Sequence, residues 1–338
     1  MSHLSQLHYA FGCPSTSAVI RSFPQDFKVI EQLSFSLDGN GQHVYLLLQK
    51  RNLNTEQVAT SLAKFSGVKP VAVGYAGLKD KNAITVQWFS VDLAGKAEPV
   101  WSEFESDNIK VLEVARHGRK LKRGAIRENQ FEISLVEFRG DKDDAEHRLR
   151  NIKTRGVPNY FGEQRFGAND YNLKKAQELL SGNKKIKRHL RSIYLSSVRS
   201  FLFNQVLSRR VAEKTWDKPL QGDVFMLQGS HSVFVVDEID EQITQRVLEH
   251  DIHPTGPMFG AGELMSKGMV CDLESSVLSQ YPDMCELLEK FALRQERRAL
   301  RLSVSNLDWQ WNDDNLLVKF ALPAGCYATS VLRELINY

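Results

Sequence analysis

Residues 74–90 read GYAGLKDKNAITVQWFS, and the order of residue types in this stretch decides the fold class. An apolar run, Val71–Leu78 (VAVGYAGL), gives way after a glycine to a short polar loop, Lys79–Ala83. A second run, Thr85–Val91 (TVQWFSV), follows at once. Short runs rich in β-branched and aromatic residues, bounded by Gly, Asn and Asp, predict two strands with a loop between them. Working outward, Ser22–Glu31 (SFPQDFKVIE) ends in a period-two run, and His43–Gln49 (HVYLLLQ) is compact and apolar; both predict strands. Asn54–Phe65 (NTEQVATSLAKF) has apolar residues at helical spacing, Glu56 in its first turn, and Asn54 or Thr55 as cap. Lys110–Arg116 and Gln130–Val136 extend the strand pattern, and Lys142–Arg155 predicts a helix ending near Gly156-Val157-Pro158.

Beyond this point the pattern changes. Arg155–Gly167 (RGVPNYFGEQRFG) is punctuated by glycine and proline and marks a boundary. Helices are predicted over Tyr171–Leu180 and Ile186–Lys214; His253–Gly262 (HPTGPMFGAG) interrupts, and Ser279–Leu300 returns to helix. Strands resume at Leu302–Val304, Trp309–Trp311 and Leu316–Ala321, before a last helix at Ala328–Asn337. The two ends resemble each other more than the middle, which predicts an α/β core carrying a helix-rich insertion.

A chain of 338 residues with 42% hydrophobic and 25% charged residues has ordinary globular composition, which excludes disordered, collagen-like and coiled-coil classes. Its length suggests about two domains. Cys13, Cys271, Cys285 and Cys326 are scattered, with no CxxC pair, so neither a zinc site nor a disulfide framework is expected. The N-terminal stretch lacks a basic segment followed by an apolar one, and no run reaches the roughly 18 apolar residues that span a bilayer. A cytoplasmic protein with no membrane contact is expected. P-loop, HExxH and GxSxG motifs are absent, and Gly260-Ala261-Gly262 lacks the third glycine of a dinucleotide loop.

The net charge of +3 hides an uneven distribution. Lys110–Arg127 holds seven Lys/Arg against one acid, and Lys184–Arg191 holds five against none, so the rest of the chain is acidic. Two focused basic patches suit a polyanion, although either could be a solvated face.

Four places could carry chemistry. Asp80 sits between Lys79 and Lys81 just after an apolar strand and Gly77; it is either a turn residue or a nucleophilic carboxylate kept ionised by its cationic neighbours. Asn129 and Phe131 share one face of a strand that follows a basic loop. An amide there can read a base edge and a ring can stack on a base, unless the phenylalanine is simply core. Phe27, Val29 and Glu31 also share a face, and a glutamate is out of place on a purely apolar one. Tyr327 precedes the last helix, whose free N–H groups suit a phosphate or carbonyl oxygen; packing of the helix end is the plainer use.

Taken together, DFKVIE (26–31), GYAGLKDKNAITVQWFS (74–90), HGRKLKRG (117–124), NQFEI (129–133), NYFGEQRFG (159–167), HPTGPMFGAG (253–262) and LPAGCYATSVLREL (322–335) resemble the TruD family of tRNA pseudouridine synthases, bacterial type. The resemblance runs in order along nearly the whole chain. It implies an α/β (α+β) fold: a bent, mixed, mainly antiparallel pseudouridine-synthase sheet, circularly permuted, with an inserted helix-rich TRUD domain. Residues 1–154 and 304–338 would form the catalytic core and 155–303 the insertion. The implied activity is isomerisation of uridine to pseudouridine at position 13 of tRNA, with no cofactor, no metal and no obligate protein partner. A noncatalytic RNA-binding or chaperone protein using the same basic surfaces is the alternative. The resemblance makes Asp80 the catalytic carboxylate and puts Phe27, Asn129 and Tyr327 around the base; Glu31 and Phe131, on the same strand faces as Phe27 and Asn129, are expected to join them. Tyr327 stands where phenylalanine is expected, and Phe131 where most other synthase families carry tyrosine. Lys79, Arg119, Lys120, Lys122, Arg123, Lys184, Lys187 and Arg188 are the expected contacts to the tRNA backbone.

Overall fold

The computed structural model describes residues 3–93, 95–180 and 186–338. In chain order come strands β1 (Ser17–Val19), β2 (Phe27–Leu33) and β3 (His43–Arg51), helix α1 (Thr55–Phe65), strands β4 (Val73–Tyr75), β5 (Ile84–Asp92), β6 (Ile109–His117) and β7 (Ile126–Arg139), then helix α2 (Lys142–Arg155). Next are β8 (Val157–Pro158), helices α3 (Glu163–Phe166), α4 (Tyr171–Leu180) and α5 (Arg188–Ala212), strands β9 (Val224–Leu227) and β10 (Val233–Val235), and helix α6 (Glu241–Leu248). Strand β11 (Ile252–Met258), helices α7 (Gly268–Leu278) and α8 (Pro282–Lys290), strands β12 (Glu296–Ala299), β13 (Arg301–Leu302), β14 (Ser305–Asn312) and β15 (Asn315–Pro323), and helix α9 (Ala328–Leu335) complete the chain.

Two compact units emerge. One comprises Thr16–Gly140 and Ser305–Gly325 with Tyr338; the other comprises Met1–Ser15, Asp141–Val304 and Cys326–Asn337. The first is a sheet unit ordered β14-β15-β7-β2-β5-β3-β6, with β1 on β7 and β4 on β5. The β2–β5 pair is parallel and the neighbours along the rest of that path are antiparallel, so the mixed, mainly antiparallel sheet is as expected. Helix α1 covers one face: Val58 and Leu62 join Leu46, Leu48, Phe89 and Val91 in a buried cluster. Its start is sharply specified. Asn54 Oδ1 accepts from Gln57 N at 2.8 Å while Asn54 N donates to Gln57 Oε1 at 3.2 Å, a reciprocal cap that satisfies two otherwise orphaned donors.

The second unit is built around α5, whose Val198, Leu202 and Leu207 pack with Phe166 and Trp216 in a buried cluster. A smaller sheet, β10-β9-β11-β12, belongs to it. Here the structure corrects the sequence reading. His253–Gly262, expected to interrupt helices, forms most of β11, whose first residues pair with β9 and whose last pair with β12. Neither Pro254 nor Pro257 therefore has to sit between two ladders, where its missing N–H would break one. The helix expected over Ser279–Leu300 is α8 followed by β12. Pro282 can open a helix but not continue one, and Arg297 is drawn inward by Glu274, with Nη2 2.7 Å from Oε1. Strands β1, β9 and β10 had no counterpart in the reading. In the sheet unit, Pro70 begins a 3-10 turn that shortens the expected Val71–Leu78 strand to Val73–Tyr75.

The division also differs from boundaries at 154/155 and 303/304. Helices α2 and α9 group with the middle segment rather than with the sheet. Arg148 of α2 donates to Gly12 O and Glu334 O, and Ser330 of α9 donates to Tyr160 O at 2.9 Å. Among the described residues no helix is long and apolar enough to cross a membrane.

Candidate active site around Asp80

The loop from Ala76 to Ala83 joins β4 to β5, and its Gly77–Asp80 main chain is held at three points. Gln87 Nε2 donates to Gly77 O at 2.7 Å, Lys79 N donates to Thr55 Oγ1 at 2.9 Å, and Lys50 Nζ donates to Asp80 O at 3.1 Å. Thr55 Oγ1 in turn donates to Gln87 Oε1, so two of the three anchors are tied together. Lys50 continues the inward face of β3 after Leu46 and Leu48 and is fully buried. A lysine there needs acceptors, and it finds two carbonyls, the second being Leu53 O at 2.7 Å. Burial pulls its amine down to about 8, with the Asp80 carboxylate opposing and the Lys79 cation adding to the shift.

With its backbone fixed, Asp80 presents a carboxylate that is about 30% exposed. Arg21 Nη2 donates to Oδ2 at 2.8 Å. Arg21 has φ +60, a left-handed conformation unusual for its residue type, and its guanidinium lies 4.1 Å over the Phe27 ring. Phe27 meets Phe131 edge-on, centroids 6.2 Å apart, and Phe131 stacks on Phe320 at 5.2 Å. Register explains the grouping. On β2 and β7, Val29 lies opposite Phe131 and Glu31 opposite Asn129, and on β15 Phe320 lies opposite Phe131.

Glu31 and Lys79 depart from their expected roles. Lys79 Nζ is 2.8 Å from Glu31 Oε2, with side-chain exposures of 7% and 0%. Lys79 was expected on the tRNA backbone; its ammonium instead neutralises a buried carboxylate. Burial pushes the Glu31 carboxyl up, and Lys79 and the Trp88 N–H pull it back. Phe131, expected to contact the base, is buried with one face against Phe320. Asn129 keeps an opening: its Oδ1 is buried without a hydrogen-bond partner.

The basic loop after β6 is fastened to the same block. Leu121 N donates to Ser90 Oγ at 2.9 Å, Gly124 N to Ala76 O at 2.8 Å, and Tyr45 Oη to Arg119 O at 3.0 Å. Gly74 permits this approach, since a Cβ there would lie 2.5 Å from Leu121 O. Arg119, Lys122 and Arg123 remain exposed. Arg123 lies over the Tyr75 ring and donates to its hydroxyl, whereas the half-buried Lys120 donates its ammonium to Val71 O.

Tyr327, Lys187 and Arg188 belong to the second unit. Tyr327 meets Phe161 edge-on at 6.3 Å, and Lys187 and Arg188 are exposed at the start of α5. Lys184 lies outside the described residues. Sequence reasoning missed Arg21, Lys50, Thr55 and Gln87. The inward period of β3 and β5 could have revealed Lys50 and Gln87, while nothing local marks Arg21.

The family model described as tRNA pseudouridine synthase D (TruD) matches residues 3–183 and 170–335. The chain belongs to the TruD family. Its TruD relatives match end to end: tRNA pseudouridine synthase D of Nitrosococcus oceani is 48% identical over 98% of this chain and 94% of its own length. That of Methylococcus capsulatus is 46% identical over 94% and 91%. A solved TruD structure from Methanosarcina mazei superposes with a TM-score of 0.77 at 19% identity, covering 97% of this chain and 95% of that one, and it shows the same fold. The TruD resemblance read from the motifs thus holds, and it places the chain in an isomerase family.

Proposed function

We propose that this protein converts uridine to pseudouridine at position 13 of tRNA, with the Asp80 carboxylate opening the reaction and without a cofactor. Substrate and product are isomers, so no electron acceptor, energy source or group donor enters the balance. The C1′–N1 bond breaks, the uracil turns, C5 joins C1′, and the proton leaving C5 is matched by one gained at N1. An ionised carboxylate can begin this by attacking the sugar or the base, or by taking a sugar proton. The observation that carries the reading is the three-point anchoring of the Gly77–Asp80 main chain, which aims an accessible carboxylate from a rigid frame. Arg21 orients that carboxylate, and Glu31, the neighbouring acid, is occupied by Lys79.

Around the base, the unpartnered Asn129 oxygen is an acceptor suited to an imide N–H, and Phe27 is a ring suited to an unstacked uracil. Arg119, Lys122, Arg123, Lys187 and Arg188 supply exposed charge for the tRNA backbone. Asp80→Asn should abolish tritium release from tRNA labelled at uracil C5 while tRNA binding stays near normal, because the amide keeps the size of the side chain and loses its charge. Substantial release by the variant would remove Asp80 from the chemistry. A noncatalytic RNA-binding protein would release no tritium in either form.

A further inference from the structure

Within the second unit, two guanidinium groups gather on one aromatic ring. Arg298 lies 4.1 Å over the Phe161 centroid and Arg165 lies 5.1 Å from it. Their hydrogen bonds go to neutral acceptors: Arg298 Nη2 donates to Asn159 Oδ1 at 2.6 Å, and Arg165 Nη1 donates to Ser196 Oγ at 3.0 Å. The Nε of each is buried without a partner. Among the described residues neither arginine forms an ion pair with a carboxylate. Two fully buried arginines of this unit are paired with carboxylates, whereas buried Arg301 bonds to His253 and to two main-chain carbonyls. Arg210 pairs with Asp223 at 2.8 Å and Arg297 with Glu274 at 2.7 Å. A half-buried guanidinium with no counter-ion is still unfavourable, and two near one ring repel. Burial accordingly lowers the Arg298 pKa, and Arg165 adds to the effect. Burial raises the thiol pKa of Cys326 beside it, and Arg298 pulls it back.

The missing component is an anion, and a third element faces the same place. Cys326 and Tyr327, which interact with Arg298, lead into α9, whose first turn has no acidic residue and whose N-cap makes no side-chain hydrogen bond. Gly162, between Phe161 and the short helix carrying Arg165, packs so closely on this end that a Cβ would lie 2.8 Å from Thr329 Oγ1. A helix amino end beside two guanidinium forks is a suitable cradle for a phosphate.

We propose that Arg298, Arg165 and the amino end of α9 bind one backbone phosphate of the tRNA, an inference that rests on the RNA-modifying function above. Its test uses full-length protein and a set of tRNAs, each with a single uncharged methylphosphonate at a different position. One position should weaken wild-type binding about tenfold or more, as expected for loss of a charge-assisted contact. Arg298→Gln should weaken binding of unmodified tRNA by a similar factor and show no further loss at that position. Circular dichroism and a melting curve check its fold. If that variant does not fold, Arg165→Gln, at a half-buried side chain, carries the same comparison. Unchanged affinity in the variant, or equal further loss at every methylphosphonate position, overturns the site. Because the readout is binding, a wild type that shows the coupled phosphate but makes no pseudouridine would refute the function and leave the site standing.

Discussion

Lys79→Met tests the buried pair beside the candidate nucleophile. In the native protein the Lys79 ammonium lies 2.8 Å from a Glu31 carboxylate that has no exposure to solvent. At an effective dielectric constant of about 20, charges at that distance attract by about 6 kcal/mol, much of which offsets the cost of burying them. Removing one partner leaves the other charge buried and uncompensated, so the variant should lose about 3–5 kcal/mol of stability near neutral pH. The loss must depend on pH in a known direction. Burial already raises the Glu31 pKa above its ordinary 4.5, and without Lys79 it rises further. The native state then holds a proton that the unfolded state has released, so stability falls as pH rises above the ordinary carboxylate range. Urea titrations at pH 5 and pH 7.5 should show the smaller deficit at pH 5. Adding Glu31→Gln should restore stability to within about 1–2 kcal/mol of wild type, since no buried charge remains. The salt dependence of tRNA binding should not change. A single-variant deficit below about 1 kcal/mol, or a reduced salt slope, would mean that Lys79 serves the phosphates after all and that the buried pairing is wrong.

Other perturbations probe the frame and the second unit. Lys50→Met removes the ammonium that bonds Asp80 O and Leu53 O; it should cost about 1–3 kcal/mol and lower kcat more than it raises KM, checked by steady-state tritium release beside a denaturation curve. Gly74→Ala would place a methyl 2.5 Å from Leu121 O and 2.6 Å from Ser90 Oγ, so the basic loop must shift; a lowered Tm, at about 1–3 kcal/mol, and weaker tRNA binding are expected. Glu334, which accepts from Ala10 N and Phe11 N, is pushed by burial from 4.5 to about 7. As pH rises through that window the wild type should lose up to about 3 kcal/mol that Glu334→Gln does not lose, measured as the difference between their unfolding free energies at pH 5 and pH 8.

Legibility from sequence followed the range of the interactions. Helix α1 was readable because its cap, Asn54 with Gln57, lies within one turn, and α2 because Gly156 and Pro158 stop it locally. The Ser279–Leu300 segment misled for the opposite reason. Its residues favour helix, but Glu296–Ala299 pairs with β11, and Glu274, Arg297's partner, lies in another element. The site divides in the same way. Asp80, Glu31 and Asn129 stood out as polar residues in marked positions of strand and loop. Lys50 lay just past the expected His43–Gln49 strand, yet the Leu46-Leu48-Lys50 alternation places it inside. Lys79 looked like a surface cation because its partner is 48 positions away in sequence. Arg21 reaches Asp80 from a left-handed turn that no neighbouring residue announces.

The position of β15 in the sheet has a consequence for how the protein is made. It lies between β14 and β7, and β7 ends at Arg139 whereas β15 begins only at Asn315. At about 5–20 residues per second, a ribosome needs roughly 10–35 seconds to add the intervening chain. Through that interval the nascent protein carries a long central strand with one edge bare, the kind of edge that recruits other strands. Pairing of Leu322 with Asn129 and of Phe320 with Phe131 waits until β15 has been made. A growing chain can therefore fold much of its sheet early and still lack the strand that pairs with β7 beside the candidate site, so chaperone demand and premature truncation should both fall most heavily on that edge of β7.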